Sequence, residues 1–264
     1  MPPTAWLHAH RGASVDAPEN TLAAFKLGIA QGADGIELDV QLSSDGVPVV
    51  IHDPTTGRTT GRQGLVRELD ERTITQLDTF RAWAGDGIEE VVQPTGPWVP
   101  EELRVPTLEA VLEWLPADRG LVIDVKDPAA VSPIVDTLTV RAGAADNVRL
   151  ISFLRAAISA AHNLAPWLTT GLLLDEGESL SHGIAWAAAH GHACVVPFEA
   201  DLGAEAQVRR CVDMAERSGI SLGTYVVNDP TQARRMFNAG VAFLMSDRPG
   251  RIVGSLPSVP ARNT

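Results

Sequence analysis

Cysteine is scarce in this chain: Cys194 and Cys211 are the only two among 264 residues. Two thiols cannot build a disulfide framework, and no Cys-x-x-Cys spacing offers a zinc site. No run approaches the roughly 18 apolar residues that a membrane span requires. The opening Met-Pro-Pro-Thr-Ala-Trp has neither the basic segment nor the apolar stretch of a secretory signal. The expectation is a soluble cytoplasmic protein with no membrane anchor. Positive charge is also short, with 21 Lys and Arg against 33 Asp and Glu and a net charge of −12. That balance argues against nucleic-acid partners, whose phosphates are neutralised by Lys and Arg, and against anionic membrane surfaces. A phosphate ligand would need local positive charge set against the global field. Repeats and low-complexity tracts are absent, and nothing in the pattern dictates an oligomeric state. What is present is 45% hydrophobic and 20% charged residues, the balance of a globular protein.

Short apolar runs alternate with longer helical patterns. The spacing predicts strands at Trp6–His10, Gly35–Val40, Leu121–Lys126, Val148–Ser152, Thr169–Leu174, Ala193–Pro197, Ser221–Val226 and Ala242–Ser246. Helices are expected at Thr21–Gln31, with Asn20 as its cap, and at Thr107–Trp114, Val131–Ala142, Arg155–Leu164, Leu180–His190, Ala204–Ser218 and Pro230–Asn238. Eight strands joined by crossover helices suit a closed α/β barrel, the (β/α)8 TIM barrel, which typically takes about 250 residues. An open doubly wound sheet would show the same alternation. One stretch breaks the rhythm. Gln41–Asp53 reads as a β-hairpin around Asp45-Gly46. Residues 54–105, rich in Gly, Pro and Thr, then read as a small insertion after the second strand, within one barrel domain over residues 1–264. This insertion offers only a weak helix near Leu69–Trp83 and too little apolar periodicity for a core of its own.

Residues two apart on a strand share a face. Glu37 and Asp39 therefore project together while Ile36, Leu38 and Val40 face the helices, and Asp124 and Lys126 repeat the pattern beside Ile123 and Val125. His10 ends the first strand, with His8 deeper on the same face as a packing residue. A two-residue Asp45-Gly46 turn would place His52 opposite Asp39. The strand ends thus bring three carboxylates, an ammonium and two imidazoles to one rim, where barrel enzymes keep their sites. Three close carboxylates repel one another unless a divalent cation relieves them. All-oxygen ligation by Glu37, Asp39 and Asp124 suits Mg²⁺, Ca²⁺ or Mn²⁺ rather than zinc. Arg11 and Lys126 would supply the grip on a phosphate. His10 and His52 suit acid–base catalysis near neutral pH.

His10-Arg11-Gly12, Pro18-Glu19-Asn20-Thr21, Gly35-Ile36-Glu37-Leu38-Asp39-Val40, Asp45-Gly46 and His52-Asp53 form an ordered series that resembles the glycerophosphodiester phosphodiesterases. Asp124-Val125-Lys126, Ser152-Phe153 and Ser246-Asp247-Arg248-Pro249 are similar to that family's later motifs. The resemblance implies a phosphodiesterase barrel that uses a divalent cation to hydrolyse glycerophosphodiesters to glycerol 3-phosphate and an alcohol. By position, Glu37, Asp39 and Asp124 would hold the metal, His10 and His52 would be the acid–base pair, and Arg11 and Lys126 would bind the phosphate. Two positions depart from the pattern. Asp124 stands where the family usually has Glu, a feature in which the chain resembles the phospholipase D-like toxins. Tyr225 stands where the family tends to have Trp, and would form an aromatic wall for the substrate.

The alternatives are a phospholipase D-like or lysophospholipid-cleaving enzyme, for which Trp83, Val91, Val92 and Trp98 would offer an apolar face, and a non-catalytic barrel that binds a phosphate. A glycosidase is disfavoured, because two residues on one strand cannot flank a bond from opposite sides. Glu19 reads as a helix-entry residue. The Arg58–Arg62 cluster reads as solvated surface.

Overall fold

The computed structural model describes residues 6–84, 98–140 and 147–254. Its strands are β1 (Trp6–His10), β2 (Gly35–Leu42), β3 (Pro48–Val50), β4 (Gly120–Val125), β5 (Val148–Ser152), β6 (Thr169–Leu173), β7 (Cys194–Val196), β8 (Ser221–Thr224) and β9 (Phe243–Ser246). Among the described residues eight of these run parallel in the order β1-β9-β8-β7-β6-β5-β4-β2, and β2 pairs back onto β1. The sheet is therefore closed, as a (β/α)8 barrel requires, and the open-sheet alternative falls. Helices α1 (Leu22–Ala30), α2 (Gly57–Thr60), α3 (Glu71–Ile74), α4 (Phe80–Ala84), α5 (Leu108–Trp114) and α6 (Val131–Val140) come before β5. After β5 come α7 (Arg155–Leu164), α8 (Leu180–Ala189), α9 (Glu205–Arg217), α10 (Pro230–Asn238) and α11 (Pro249–Val253). Element ends differ from the sequence expectation by a residue or two, and Ala142 lies outside the described residues.

Alternation along each strand sorts its side chains. Ile36, Leu38 and Val40 join Phe25, Leu108 and Ile134 in the layer between sheet and helices. The opposite faces of the other strands fill the barrel with Val122, Ile151, Leu173, Cys194, Val196, Phe243 and Met245. Each large apolar side chain fully buried in this way contributes about 1.5–3 kcal/mol. His8 belongs to the interior, stacked on Trp6 at 5.9 Å between centroids.

Two local expectations are corrected. Asn20 does not cap α1; Thr21 does, its hydroxyl accepting from the Ala24 N–H at 3.2 Å. Asn20 takes a left-handed φ of +57° and turns its side chain elsewhere. The hairpin turn has three residues, not two. Ser43 pairs with Val47, and Gly46 alone is left-handed at φ +84°. A two-residue type I′ turn needs positive φ at both central positions, whereas a three-residue loop needs it only at the last. Asp45 is engaged otherwise, accepting from Ser43 Oγ at 2.6 Å and from the Glu71 N–H at 2.9 Å. The ladder is thereby shifted by one, and Ile51 rather than His52 stands opposite Asp39, donating its N–H to the Asp39 carbonyl at 3.0 Å.

Beyond the hairpin, the helix expected near Leu69–Trp83 is two short helices, α3 and α4. Asp70 caps α3 by accepting from the Thr73 N–H, and Asp78 accepts from the Phe80 N–H at the start of α4. The apolar residues of this stretch do gather: Val66, Ile74, Leu77 and Val105 close on Val49 and Ile51. Part of that cluster is lent by β3 and its exit, which spacing within 54–105 does not register.

Candidate active site

The site begins with a sharp corner after β1. Arg11 and Gly12 are both left-handed, at φ +55° and +84°. A side chain at Gly12 would stand 2.5 Å from Ala24 on α1, so only glycine fits. Arg11 is not glycine and carries the cost of its conformation, as residues at functional sites often do. The corner aims the Arg11 N–H at Glu37 Oε2, 3.0 Å away, and sends the guanidinium over the barrel mouth.

Parallel register sets the height of the acids. His10 is level with Glu37, and Asp39 with Asp124. One oxygen from each of Glu37, Asp39 and Asp124 lies within 4.8 Å of the other two, and all three residues are buried. Lys126 pairs with Asp39 at 3.0 Å and also with Asp124. Arg11 Nε stands 3.1 Å from Asp39 Oδ2 without the alignment of a hydrogen bond. Asn20 donates to the same oxygen at 2.8 Å. The acids consequently differ in charge. Burial, helped by the charge on Asp39, pushes Glu37 up to about 7. Burial pushes Asp124 up to about 6, against the pull of Lys126. Burial would raise Asp39 as well, but Lys126 and Arg11 hold it down at about 2. Asp124 Oδ1 is buried with no hydrogen-bond partner among the described residues. An oxygen-only trio with an orphaned buried lone pair fits a hard divalent cation.

Each imidazole is tied by a carboxylate at Nδ1. His10 Nδ1 meets Asp247 Oδ1 at 2.6 Å, and Asp247 also accepts from Ser14 Oγ at 3.0 Å and Asn228 Nδ2 at 2.7 Å. His52 Nδ1 meets Asp53 Oδ1 at 2.7 Å. Burial notwithstanding, the bonds from His10 and Asn228 hold Asp247 down at about 2. The bond from Arg58 does the same for Asp53, again to about 2. Ionised carboxylates only accept, so both rings donate from Nδ1 and Nε2 is the nitrogen left for other work. Burial by itself would lower His10, but Glu37 and Asp247 outweigh it and its pKa is raised. For His52 burial prevails over Asp39, with Lys126 and Arg11 adding to it, and the pKa is lowered.

The two imidazoles, the three acids, Arg11 and Lys126 line one half of a cavity of about 150 Å³. Ile151, Phe153, Leu173, Tyr225, Val226 and Met245 form its apolar half. Tyr225 donates its hydroxyl to the Leu174 carbonyl at 2.8 Å and packs its ring edge against Phe153, so the ring rather than the phenol borders the space. Burial pushes that phenol up to about 12.

The sequence model of the glycerophosphoryl diester phosphodiesterase family matches residues 10–251. The chain belongs to that family. It is 32% identical over 252 residues to a glycerophosphodiester phosphodiesterase of Caldanaerobacter subterraneus, covering 93% of this chain and 95% of that one. A crystal structure of a glycerophosphodiester phosphodiesterase from Agrobacterium tumefaciens superimposes with a TM-score of 0.74 at 30% identity, over 95% of this chain and 100% of that one. A phosphodiesterase of Oleispira antarctica, solved with the product sn-glycerol-3-phosphate, gives 0.78 at 25% identity, over 95% and 96%.

Within this phosphodiesterase frame all eight residues singled out from the sequence, His10, Arg11, Glu37, Asp39, His52, Asp124, Lys126 and Tyr225, border one cavity. Five supports were given no part in the site by sequence reasoning. Asn20 holds Asp39, Asp247 holds His10 and is itself held by Asn228, Asp53 holds His52, and Arg58 holds Asp53. Arg58 is not merely solvated surface. It grips Asp53 at 2.7 and 3.0 Å and Glu19 at 2.7 and 2.8 Å, and Glu19 in turn accepts from Arg11 at 3.0 Å. The signal for Asp247 was barrel closure, which sets the last strand beside the first. Trp83 and Trp98 meet edge to face at 6.3 Å, with Trp83 41% exposed, and neither borders the cavity; Val91 and Val92 lie outside the described residues.

Proposed function

We propose that this chain hydrolyses glycerophosphodiesters to glycerol 3-phosphate and an alcohol, with His10 and His52 as the proton-transferring pair. One observation carries the reading: two imidazoles, each held at Nδ1 by an ionised carboxylate, line the cavity that Arg11 and Lys126 also line. Cations at that position can hold a phosphodiester anion and stabilise the charge that grows on its oxygens during displacement. Nε2 of one ring takes the proton from the attacking hydroxyl and Nε2 of the other returns a proton to the departing alkoxide. Asp247 and Asp53 fix the ring orientations that this exchange requires. Glu37, Asp39 and Asp124 would hold a divalent cation, Mg²⁺, Ca²⁺ or Mn²⁺. When bound it supplies Lewis-acid polarisation of a phosphoryl oxygen. The apolar half of the cavity would receive the carbon skeleton of the substrate, with the Tyr225 ring as part of its wall.

The test is a screen of the purified protein on glycerophosphocholine, glycerophosphoethanolamine and glycerophosphoglycerol, with Mg²⁺ or Ca²⁺ supplied and then chelated, reading glycerol 3-phosphate by a coupled assay. Release that ceases with chelator is the expected result. No release from any of the three, or faster release from lysophosphatidyl substrates than from these, would overturn the reading.

A further inference from the structure

A second hollow meets the site at His52 and Lys126. It measures about 370 Å³ and opens between the stretch after the hairpin, at Pro54, Leu65, Val66 and Arg67, and the loop that leaves β4, at Asp127 and Pro128. His52 and Lys126 line both spaces, and the two share no other residue. A phosphodiester carries two ester arms that leave phosphorus in different directions. A phosphoryl group seated at Lys126 beside His52 therefore has a separate space for each arm.

We infer that the outer groove is the subsite for the alcohol arm, and that Asp127 and Arg67 tune the choice of headgroup there in favour of a small amino alcohol. The inference rests on the phosphodiesterase reading above. The inner cavity is less than half the size of the groove and is walled by apolar strand residues, which suits the constant three-carbon arm. The groove is larger and opens to solvent, so it can receive the variable arm.

Lys126 is already paired with Asp39 and Asp124, and the groove's other two charges differ in how firmly they are held. Asp127 is half-buried, and its Oδ1 accepts from the Ala129 N–H at 2.9 Å, which sets the carboxylate at the lip. Its Oδ2 has no hydrogen-bond partner among the described residues. Arg67 is exposed and has no ion-pair partner among them, so its charge moves in solvent and is screened. A fixed anion outweighs a mobile cation, and the net charge of −12 has the same sign. Leu65, Val66 and the two prolines offer apolar wall to the methylenes between an ester oxygen and an ammonium.

The experiment compares kcat/KM on glycerophosphoethanolamine with that on glycerophosphoglycerol for the full chain and for two variants, Asp127→Asn, which keeps the acceptor to Ala129, and Arg67→Gln. Contacts between partly exposed charges support changes of up to about fivefold. Asp127→Asn should lower the ethanolamine-to-glycerol ratio by roughly three- to fivefold, and Arg67→Gln should raise it by up to about threefold. Inhibition by glycerol 3-phosphate, which lacks the alcohol arm, should stay within about twofold in both variants, and Tm should stay within about 2 °C of wild type. Ratios that do not move, or that follow Phe153→Ala in the inner cavity instead, overturn the groove assignment while leaving the phosphodiesterase reading intact. A wild-type chain that turns over neither substrate takes both down.

Discussion

His10 stands at the end of a barrel strand, and His52 on the return limb of a hairpin that leaves the barrel. The two supports differ in stiffness. The His10 side chain is 14% exposed, and its partner Asp247 is itself held by Ser14 and Asn228. The His52 side chain is 33% exposed, and its partner is its own neighbour Asp53, which is steadied from α2 by Arg58. The surroundings push the rings in opposite directions, His10 toward holding its proton and His52 toward releasing it. One residue type in one cavity thus acquires two proton affinities from environment alone. That is the separation which acid–base pairs need.

The sharpest way to break this comparison is to remove either ring. His10→Ala and His52→Ala should each lower kcat by roughly 10²–10⁴-fold. Because the rings act as a unit, the double variant should fall little below the weaker single variant. Release of glycerol 3-phosphate measures all three, and a single variant near wild-type rate dissolves the pair.

The supports come next. Asp247→Asn should cost kcat about 10–100-fold, since it loosens the more rigid ring and takes away its ionised acceptor. Arg58→Ala should cost less, about three- to tenfold, because Asp53 keeps its bond to His52 and Arg58 is half exposed. Equal losses would say that the two supports are equally stiff.

A smaller effect concerns pH in the metal-free protein. Glu37 sits at about 7 when folded against an ordinary 4.5, so the folded state holds the extra proton. That stability is present below pH 4.5 and is lost as pH rises through about 7. The raised His10 adds to the loss above its ordinary 6.5, while the lowered His52 opposes it only below 6.5. Between pH 6.5 and 8, Tm should therefore fall by roughly 2–4 °C, as expected for about 1 kcal/mol in a chain of this size. Added Mg²⁺ or Ca²⁺ should recover more at pH 8 than at pH 5.5, because ligation needs the ionised acids. A Tm that rises across this range in calorimetry would contradict the assignment of the buried acids.

The smallest change expected is Tyr225→Phe. It removes the bond to the Leu174 carbonyl, worth about 1 kcal/mol, and leaves the ring in the cavity wall. Tm should drop slightly and kcat should stay within about twofold.

Much of this was legible in the sequence because period-two alternation is a property of single strands. Glu37 with Asp39, and Asp124 with Lys126, could be assigned to one rim before any neighbour was known. The hairpin shows where that logic stops. Turn length depended on Asp45 being engaged by Ser43 and by the Glu71 N–H, a contact with a residue of α3 that local spacing does not encode. His52 nevertheless reaches the cavity, because the last ladder bond is made by the Ile51 N–H and the chain beyond it is no longer bound by the register. Asn20 was misread for a similar reason. Its residue type suits a helix cap, but Asp39 competed for its side chain and won. The Arg58 clamp joins residues 39 apart in sequence and answers to no periodicity at all.

The pairing of β1 with β2 and of β2 with β4 carries one more consequence. Were β2 to slide by a single residue, Ile36, Leu38 and Val40 would turn into the wet mouth and the acids into oil. A chain assembled in that way would lose its core, so the register that gathers the acids at the rim is also the one the folded molecule needs. An error in register that emptied the site would thereby also expose the apolar face that packs on the helices.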